Sequence, residues 1–399
     1  MQNSRLEFIF MNIGHFLDHY FVLIFATAVL RLSSEWGMSY AELIPYGTLG
    51  FIAFGIGAIP AGWLADKWSR EGMMAVFFIG IGVSSILVGW VNTPFELAVC
   101  LTLVGMFASI YHPVGLAIVV QSLKNTGIRL AFNGIFGNLG VASAALLTGV
   151  IVDFSGWRSA FVIPGLISIA VGLTYLHFIR VSRNKTVTGS TAIIEEKQSS
   201  VFPKQMLIRI FSIILFTTAV GGLVFQSTTF SLPKVLDEQL PELSGNTTLI
   251  GSYAFLVFSL AAMAQLVVGY LIDRYPARNV LAIVAILQAI FFIAMTQLHG
   301  HGALLVAIAF MLVVFGQIPI NDFLIGRLAH SRWRSRAYAL RYLVTFSVMA
   351  SALPLIAWLH HTWGFFMLFG VLAVAGFMIF LAALLLPVKL EFRNTSSVV

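Results

Sequence analysis

One cysteine, Cys100, is the whole thiol inventory of a 399-residue chain, so no intramolecular disulfide can form. It lies within an apolar stretch and reads as a small buried hydrophobe, not a redox centre. Charge is scarce too: Asp, Glu, Lys and Arg make up 10% of the residues, against 59% hydrophobic. The chain lacks His-Glu-x-x-His, Gly-x-Ser-x-Gly and Gly-x-x-x-x-Gly-Lys-Ser/Thr, the signatures of zinc proteases, serine hydrolases and phosphate-binding loops. An enzyme is therefore not expected, no cofactor is implied, and ATP-driven pumping has no machinery within this chain. What is abundant is apolar: 35 Phe and a mean hydropathy of +0.94. A helical crossing of a bilayer needs about 20 apolar residues, so the expected solvent is lipid.

Apolar runs between charged or Gly/Pro/Asn breaks predict twelve crossings. They start near Phe8, Ile44, Gly72, Phe95, Ile128, Trp157, Met206, Thr247, Arg278, Gly302, Ser335 and Thr362. The first run has no basic leader and no small-residue cleavage site before Arg31, so it is read as a retained helix. Basic residues divide unevenly across the alternating loops. With the amino terminus in the cytoplasm, 19 of the 23 Lys and Arg fall on the cytoplasmic side; Arg31, Arg158 and Lys234 fall outside, and Arg341 lies within a run. This bias predicts a multi-pass protein of a bacterial inner membrane with both termini cytoplasmic. It also accounts for the net charge of +7 without nucleic acid as a partner.

A short pattern occurs twice, 207 positions apart. Gly62-Trp63-Leu64-Ala65-Asp66-Lys67-Trp68-Ser69-Arg70 ends the second run and Gly269-Tyr270-Leu271-Ile272-Asp273-Arg274-Tyr275-Pro276-Ala277-Arg278 ends the eighth. Duplication at that spacing predicts two six-helix bundles, residues 1–180 and 206–399, joined by a polar cytoplasmic linker over 181–205. Gly62 and Gly269 would permit close backbone approach. Asp66 and Asp273 would pair with a helix terminus or an arginine, and Lys67, Arg70, Arg274 and Arg278 would anchor the turns. Gating and simple stapling of helices are both open for these residues, and none is expected to touch a solute.

Six plus six helices with this duplicated loop resemble the major facilitator superfamily over essentially the whole chain. Three further segments are similar to the fosmidomycin-resistance-like exporters within it: Gly14-His15-Phe16-Leu17-Asp18-His19-Tyr20, Tyr111-His112-Pro113, and Gly137-Asn138-Leu139-Gly140 followed by Gly156-Trp157-Arg158. The resemblance implies an all-α fold of two pseudo-symmetric bundles, alternating access between them, helices 1 and 4 facing a central cavity, and a gating role for the duplicated loops. Gly134, Gly137 and Gly140 match the superfamily's antiporter motif only in part, since its Gly-Pro pair is absent.

Ionisable groups inside a bilayer cost at least about 2.5 kcal/mol each on insertion scales, so each needs a partner and a purpose. Asp18 and His15 share a face of the first helix, and His19 stacks one turn above His15. We read Asp18, with His15 or His19, as the carrier of a coupling proton. An interhelical hydrogen-bond cluster is the alternative, and a metal site is not expected because no second carboxylate or cysteine joins them. His112 and Tyr111 precede Pro113, which withholds a backbone donor and can loosen the fourth helix beside a cavity. Asn133, Asn138, Gln226, Gln317 and Asn321 are further candidates to line it, with ordinary interhelical hydrogen bonding the alternative for each. Asp322 and Arg341 sit at matching depth around the loop between helices 10 and 11 and are read as a structural or gating ion pair, with anion recognition through Arg341 the alternative.

These parts predict a monomeric secondary transporter whose partners are a small organic solute, protons and the bilayer. Proton-coupled drug efflux is the first reading. Uptake of an organic acid, an amino-acid-like solute or a metal chelate is the alternative, and a non-transporting receptor or scaffold is the reading of another class.

Overall fold

The computed structural model describes residues 2–120, 126–183, 204–328 and 334–387, all helical or connecting. The chain runs as α1 (Gln2–Trp36), a short α2 (Tyr40–Leu43), α3 (Thr48–Lys67), α4 (Arg70–Val88), α5 (Pro94–Ala108), a π-helical turn over Tyr111–Gly115 and α6 (Leu116–Val120). The path continues through α7 (Thr126–Arg183), α8 (Lys204–Gln239), α9 (Thr247–Arg274), α10 (Ala277–Met295), α11 (Gly300–Leu328), α12 (Arg334–Ala350) and α13 (Ala352–Leu384). Of the linker expected over 181–205, residues 184–203 lie outside the described residues.

Ten helical stretches among the described residues are long and apolar enough to cross a membrane. Two of them divide. Gly156 (φ 81°) interrupts α7 and Gly364 (φ 69°) interrupts α13, so each continuous stretch is two helices meeting at a turn. A positive φ is open to glycine at little cost, which is why the chain reverses there. These breaks recover the twelve predicted crossings. Several starts are capped as their sequence suggests: Ser39 with Glu42 forms a reciprocal capping box, and the side chains of Ser69, Thr93 and Asn246 accept from backbone N–H groups one turn on.

Packing follows membrane logic. Trp157, Tyr111, Tyr175 and Phe21 are buried between helices, while Trp90, Phe95, Phe154 and Leu305 are exposed on the outer surface, where lipid tails suit them. Small residues bring helices together. The tightest such place is the α3–α5 crossing, where a Cβ added to Gly105 would lie 1.9 Å from the Gly50 carbonyl oxygen. Gly105→Val is expected to lower stability by about 1–3 kcal/mol or more through overpacking. Gly134→Ala, where an added Cβ meets nothing within 4 Å, should be neutral or slightly stabilising. Thermal midpoints in detergent check both, and equal midpoints would refute the close crossing.

The first six crossings meet the last six along α7–α9 and α3–α12. A Cβ on Gly149 would lie 2.3 Å from Thr247 O, and one on Gly251 would lie 2.3 Å from Ala145 O. Beside them the Asp153 carboxylate accepts from Thr247 N at 3.3 Å and Thr248 N at 2.6 Å, capping α9 from the other half. On the second seam, Gly47 packs against Leu353 and Gly55 against Phe346. All these contacts lie in the middle of the molecule or at the end remote from the chain termini. Toward the end bearing the termini, a Cβ added to Gly134 on α7 or to Gly269 on α9 would meet nothing within 4 Å. The halves are thus closed at one end and splayed at the other.

The duplicated loops differ from expectation in one respect. Gly269 has nothing within 4 Å of an added Cβ, and Gly62 has only Pro113 at an ordinary 3.4 Å, so neither glycine makes the close approach expected of it. The reason is the splay: both sit at the separated end. Asp66 pairs with Arg70 at 2.9 Å inside its own loop, and the Arg274 guanidinium lies 3.7 Å from the Tyr270 ring centroid.

Candidate functional site

The polar centre is assembled from three places in the sequence. Helical periodicity sets His15, Asp18 and His19 on the inner side of α1. Pro113 cannot donate a backbone N–H, and the helix answers with the π-helical turn over Tyr111–Gly115, which turns Tyr111 and His112 toward α1. From α7 comes Asn133. The Asn133 carbonyl lies 2.7 Å from His15 Nδ1; a carbonyl can only accept, so that nitrogen carries the hydrogen. Tyr111 Oη donates to Met11 O at 2.9 Å and accepts from Asn133 Nδ2 at 2.9 Å, and Asn133 Nδ2 also reaches Asn12 Oδ1 at 3.1 Å. The Tyr111 ring stacks on His15 with centroids 4.8 Å apart. Tyr111 and Asn133 therefore hold His15 in one orientation.

Asp18 is fully buried, and its Oδ2 lies 3.3 Å from His112 Nε2. Its Oδ1 has no hydrogen-bonding partner among the described residues. The three imidazoles are mutual neighbours: His15–His19 centroids are 5.0 Å apart, and His112 is 5.5 Å from each. His112 also meets Phe54 of α3 and Phe346 of α12, whose rings are 4.7 Å from each other across the seam between halves. The carboxyl–imidazole contact therefore sits where the two halves touch.

The second half contributes uncharged groups. Gln317 and Asn321, predicted to line a cavity, are buried in a relay in which Gln288 Nε2 donates to Gln317 Oε1 at 2.8 Å, Gln317 Nε2 to Thr217 O at 3.3 Å and Thr217 Oγ1 to Asn321 Oδ1 at 3.3 Å. Gln226 is different: it is buried, and its Nε2 has no hydrogen-bonding partner among the described residues. Asn138 pairs with Gln265 of α9 at 3.2 Å, linking the halves at mid-height. Asp322 and Arg341 form an ion pair between α11 and α12, within one half, not across the seam. Arg278 and Asp273 lie outside this centre, at the loop between α9 and α10.

Several participants escaped sequence reasoning. Glu35 accepts from Trp157 Nε1 at 2.9 Å and from Arg158 at 2.5 Å, so the Gly156-Trp157-Arg158 segment docks on the end of α1. Asn12, Gln265, Asp153, Phe54 and Phe346 likewise gave no signal, since each acts through a residue distant in the chain.

Helices long and apolar enough to cross a membrane, in two abutting halves with a buried polar centre at the seam, define a two-bundle membrane fold. The chain belongs to the Major Facilitator Superfamily, whose family profile matches residues 11–263 and 240–397. Among curated relatives it is 26% identical over 299 residues to a 4-hydroxybenzoate transporter of Pseudomonas putida, covering 68% of this chain and 66% of that one. It is 23% identical over 240 residues to a multidrug resistance protein of Salmonella arizonae, covering 59% and 57%. The chain thus spans somewhat under two thirds of the length of these relatives. The fold matches the inward-open xylose transporter of E. coli with a TM-score of 0.71 at 14% identity, over 96% of this chain and 95% of that chain.

Proposed function

We propose that this protein is a proton-coupled secondary transporter that exports a small organic solute across the bacterial inner membrane, working as a monomer. One observation carries the reading: a fully buried carboxyl, Asp18, in contact with His112 at the point where the halves meet. Conformations that hydrate Asp18 differently differ in their affinity for a proton. That difference is what couples a proton gradient to rocking of the halves. With both termini in the cytoplasm, as the basic-residue bias supports, the splayed end faces inward and Asp153 on the α9 amino terminus closes the outer end. Phe54 and Phe346 supply an apolar wall, and His112 and Gln226 supply the polar handles that orient a solute.

The similarity of the segments at 14–20, 111–113 and 137–140 to the fosmidomycin-resistance-like exporters favours export, and the missing Gly-Pro pair of the antiporter motif weighs against it. The similarity to a 4-hydroxybenzoate transporter favours a second reading, uptake of a small organic acid through the same site. Accumulation of labelled fosmidomycin and of labelled 4-hydroxybenzoate in an efflux-deficient bacterium, with and without a protonophore, separates them. Export predicts less drug in expressing cells, a difference removed by the protonophore. Uptake predicts more acid, again protonophore-sensitive. Unchanged accumulation of both compounds would count against either cargo, and gradient-insensitive movement would remove the proton.

A further inference from the structure

The three imidazoles of the polar centre converge more tightly than a carboxyl–imidazole pair needs. One ring nitrogen from each of His15, His19 and His112 lies within 4.8 Å of the others. Bonds of about 2.0–2.1 Å to a tetrahedral ion place ligand nitrogens about 3.4 Å apart, so small rotations of the His19 and His112 rings close the set. The spacing has a simple origin: His15 and His19 are one helical turn apart, and the π-helical turn at Pro113 advances His112 between them.

The surroundings are those of a supported ligand set. Histidines that bind metals usually donate their second ring N–H to a carbonyl or a carboxylate, which fixes tautomer and orientation. His15 Nδ1 faces the Asn133 carbonyl at 2.7 Å, which assigns ligation to Nε2. His112 Nε2 lies 3.3 Å from the Asp18 carboxyl, an ion-pair contact that favours ligation through Nδ1. Gly137 makes room for the first ring, since a Cβ there would lie 2.6 Å from His15 Nε2. His112 keeps 12% of its side chain exposed, while both of its ring nitrogens are buried with the rest of the cluster. Three neutral imidazoles without thiolate suit borderline divalent ions and leave a fourth position open.

We propose that His15, His19 and His112 bind one divalent transition-metal ion of the Zn²⁺, Co²⁺ or Ni²⁺ class, with Asp18 and the Asn133 carbonyl as outer partners and the fourth position open to water or an anionic ligand. The site goes beyond the transport reading and does not depend on it. Purified full-length protein carrying a histidine-free affinity tag is titrated with Co²⁺, and bound ion is read from its visible d–d absorption. The wild type should take up one equivalent with the intense bands of a four-coordinate ion, displaced by one equivalent of Zn²⁺. His19→Gln and His112→Gln should weaken binding at least about tenfold, and Asp18→Asn, as an outer partner, about 10–100-fold. His177→Gln, on the exposed side of α7, should match the wild type. Thermal midpoints without metal verify that each variant is folded. Absence of the bands in the wild type at one equivalent overturns the site whatever the variants do, as does wild-type affinity in folded His19→Gln and His112→Gln. Proton-driven flux that survives such a failure leaves the transport reading standing, and metal binding without flux removes only that reading.

Discussion

Asp18→Asn is expected to abolish gradient-driven movement of solute while leaving folded protein in the membrane. The replacement keeps size and shape and removes the group able to exchange a proton. Because Asp18 is fully buried with Oδ1 unpartnered among the described residues, a neutral amide is accommodated at a stability change of about 1 kcal/mol, the scale of one hydrogen bond. The effect on function is far larger. A coupling free energy of about 1–3 kcal/mol corresponds to a roughly 5- to 150-fold change in affinity for the second ligand, and without it the protein can only equilibrate its solute. Counterflow in proteoliposomes, which needs no gradient, should persist in the variant, while accumulation driven by an imposed pH gradient falls to the level of uncoupled vesicles. Accumulation equal to the wild type would remove Asp18 from the mechanism.

The second large effect is expected at Asp322 and Arg341. Arg341 is buried, with 7% of its surface exposed, and is ion-paired to Asp322 across α11 and α12. Taking one partner of a buried pair away typically costs 3–5 kcal/mol, because the other charge stays in a poor solvent. The Asp322 side chain is 40% exposed, so Asp322→Ala belongs near the lower bound, about 3 kcal/mol, with Arg341→Ala similar or smaller because the charge it leaves can hydrate. Exchanging the two residues restores opposite charges and should recover more transport and a higher thermal midpoint than either alanine variant. Equal loss in all three would argue against the pairing. Both helices belong to the same half, so this pair links α11 to α12 within that half.

The loops at Gly62 and Gly269 mark the boundary of what a linear reading can reach. Their duplication is visible as a pattern, and it locates the repeat. Whether their glycines touch anything depends on how far apart the halves stand, and at the splayed end they touch little. In the same way, the i, i+3 and i, i+4 spacings of α1 make His15, Asp18 and His19 neighbours in any helix. Nothing in those spacings says that His112, more than ninety residues on, completes the group, or that Asn133 fixes the tautomer of His15. Gln317 and Asn321 are polar residues in apolar runs, a signal equally compatible with lining a cavity and with the buried relay they form.

What the amino-acid sequence determined alone is the set of local and statistical properties: helical crossings from hydropathy, the basic-residue bias, the repeat, and the titratable face of α1. These follow from transfer free energies and helical periodicity, which act over one or two turns. The tertiary structure decided which end of the molecule is closed, which polar residues meet at the seam, and that Glu35, Asp153 and Phe346 matter. Those are contacts between helices far apart in the chain. Their partners are selected by packing, and by the high cost of leaving a polar group unpaired in lipid.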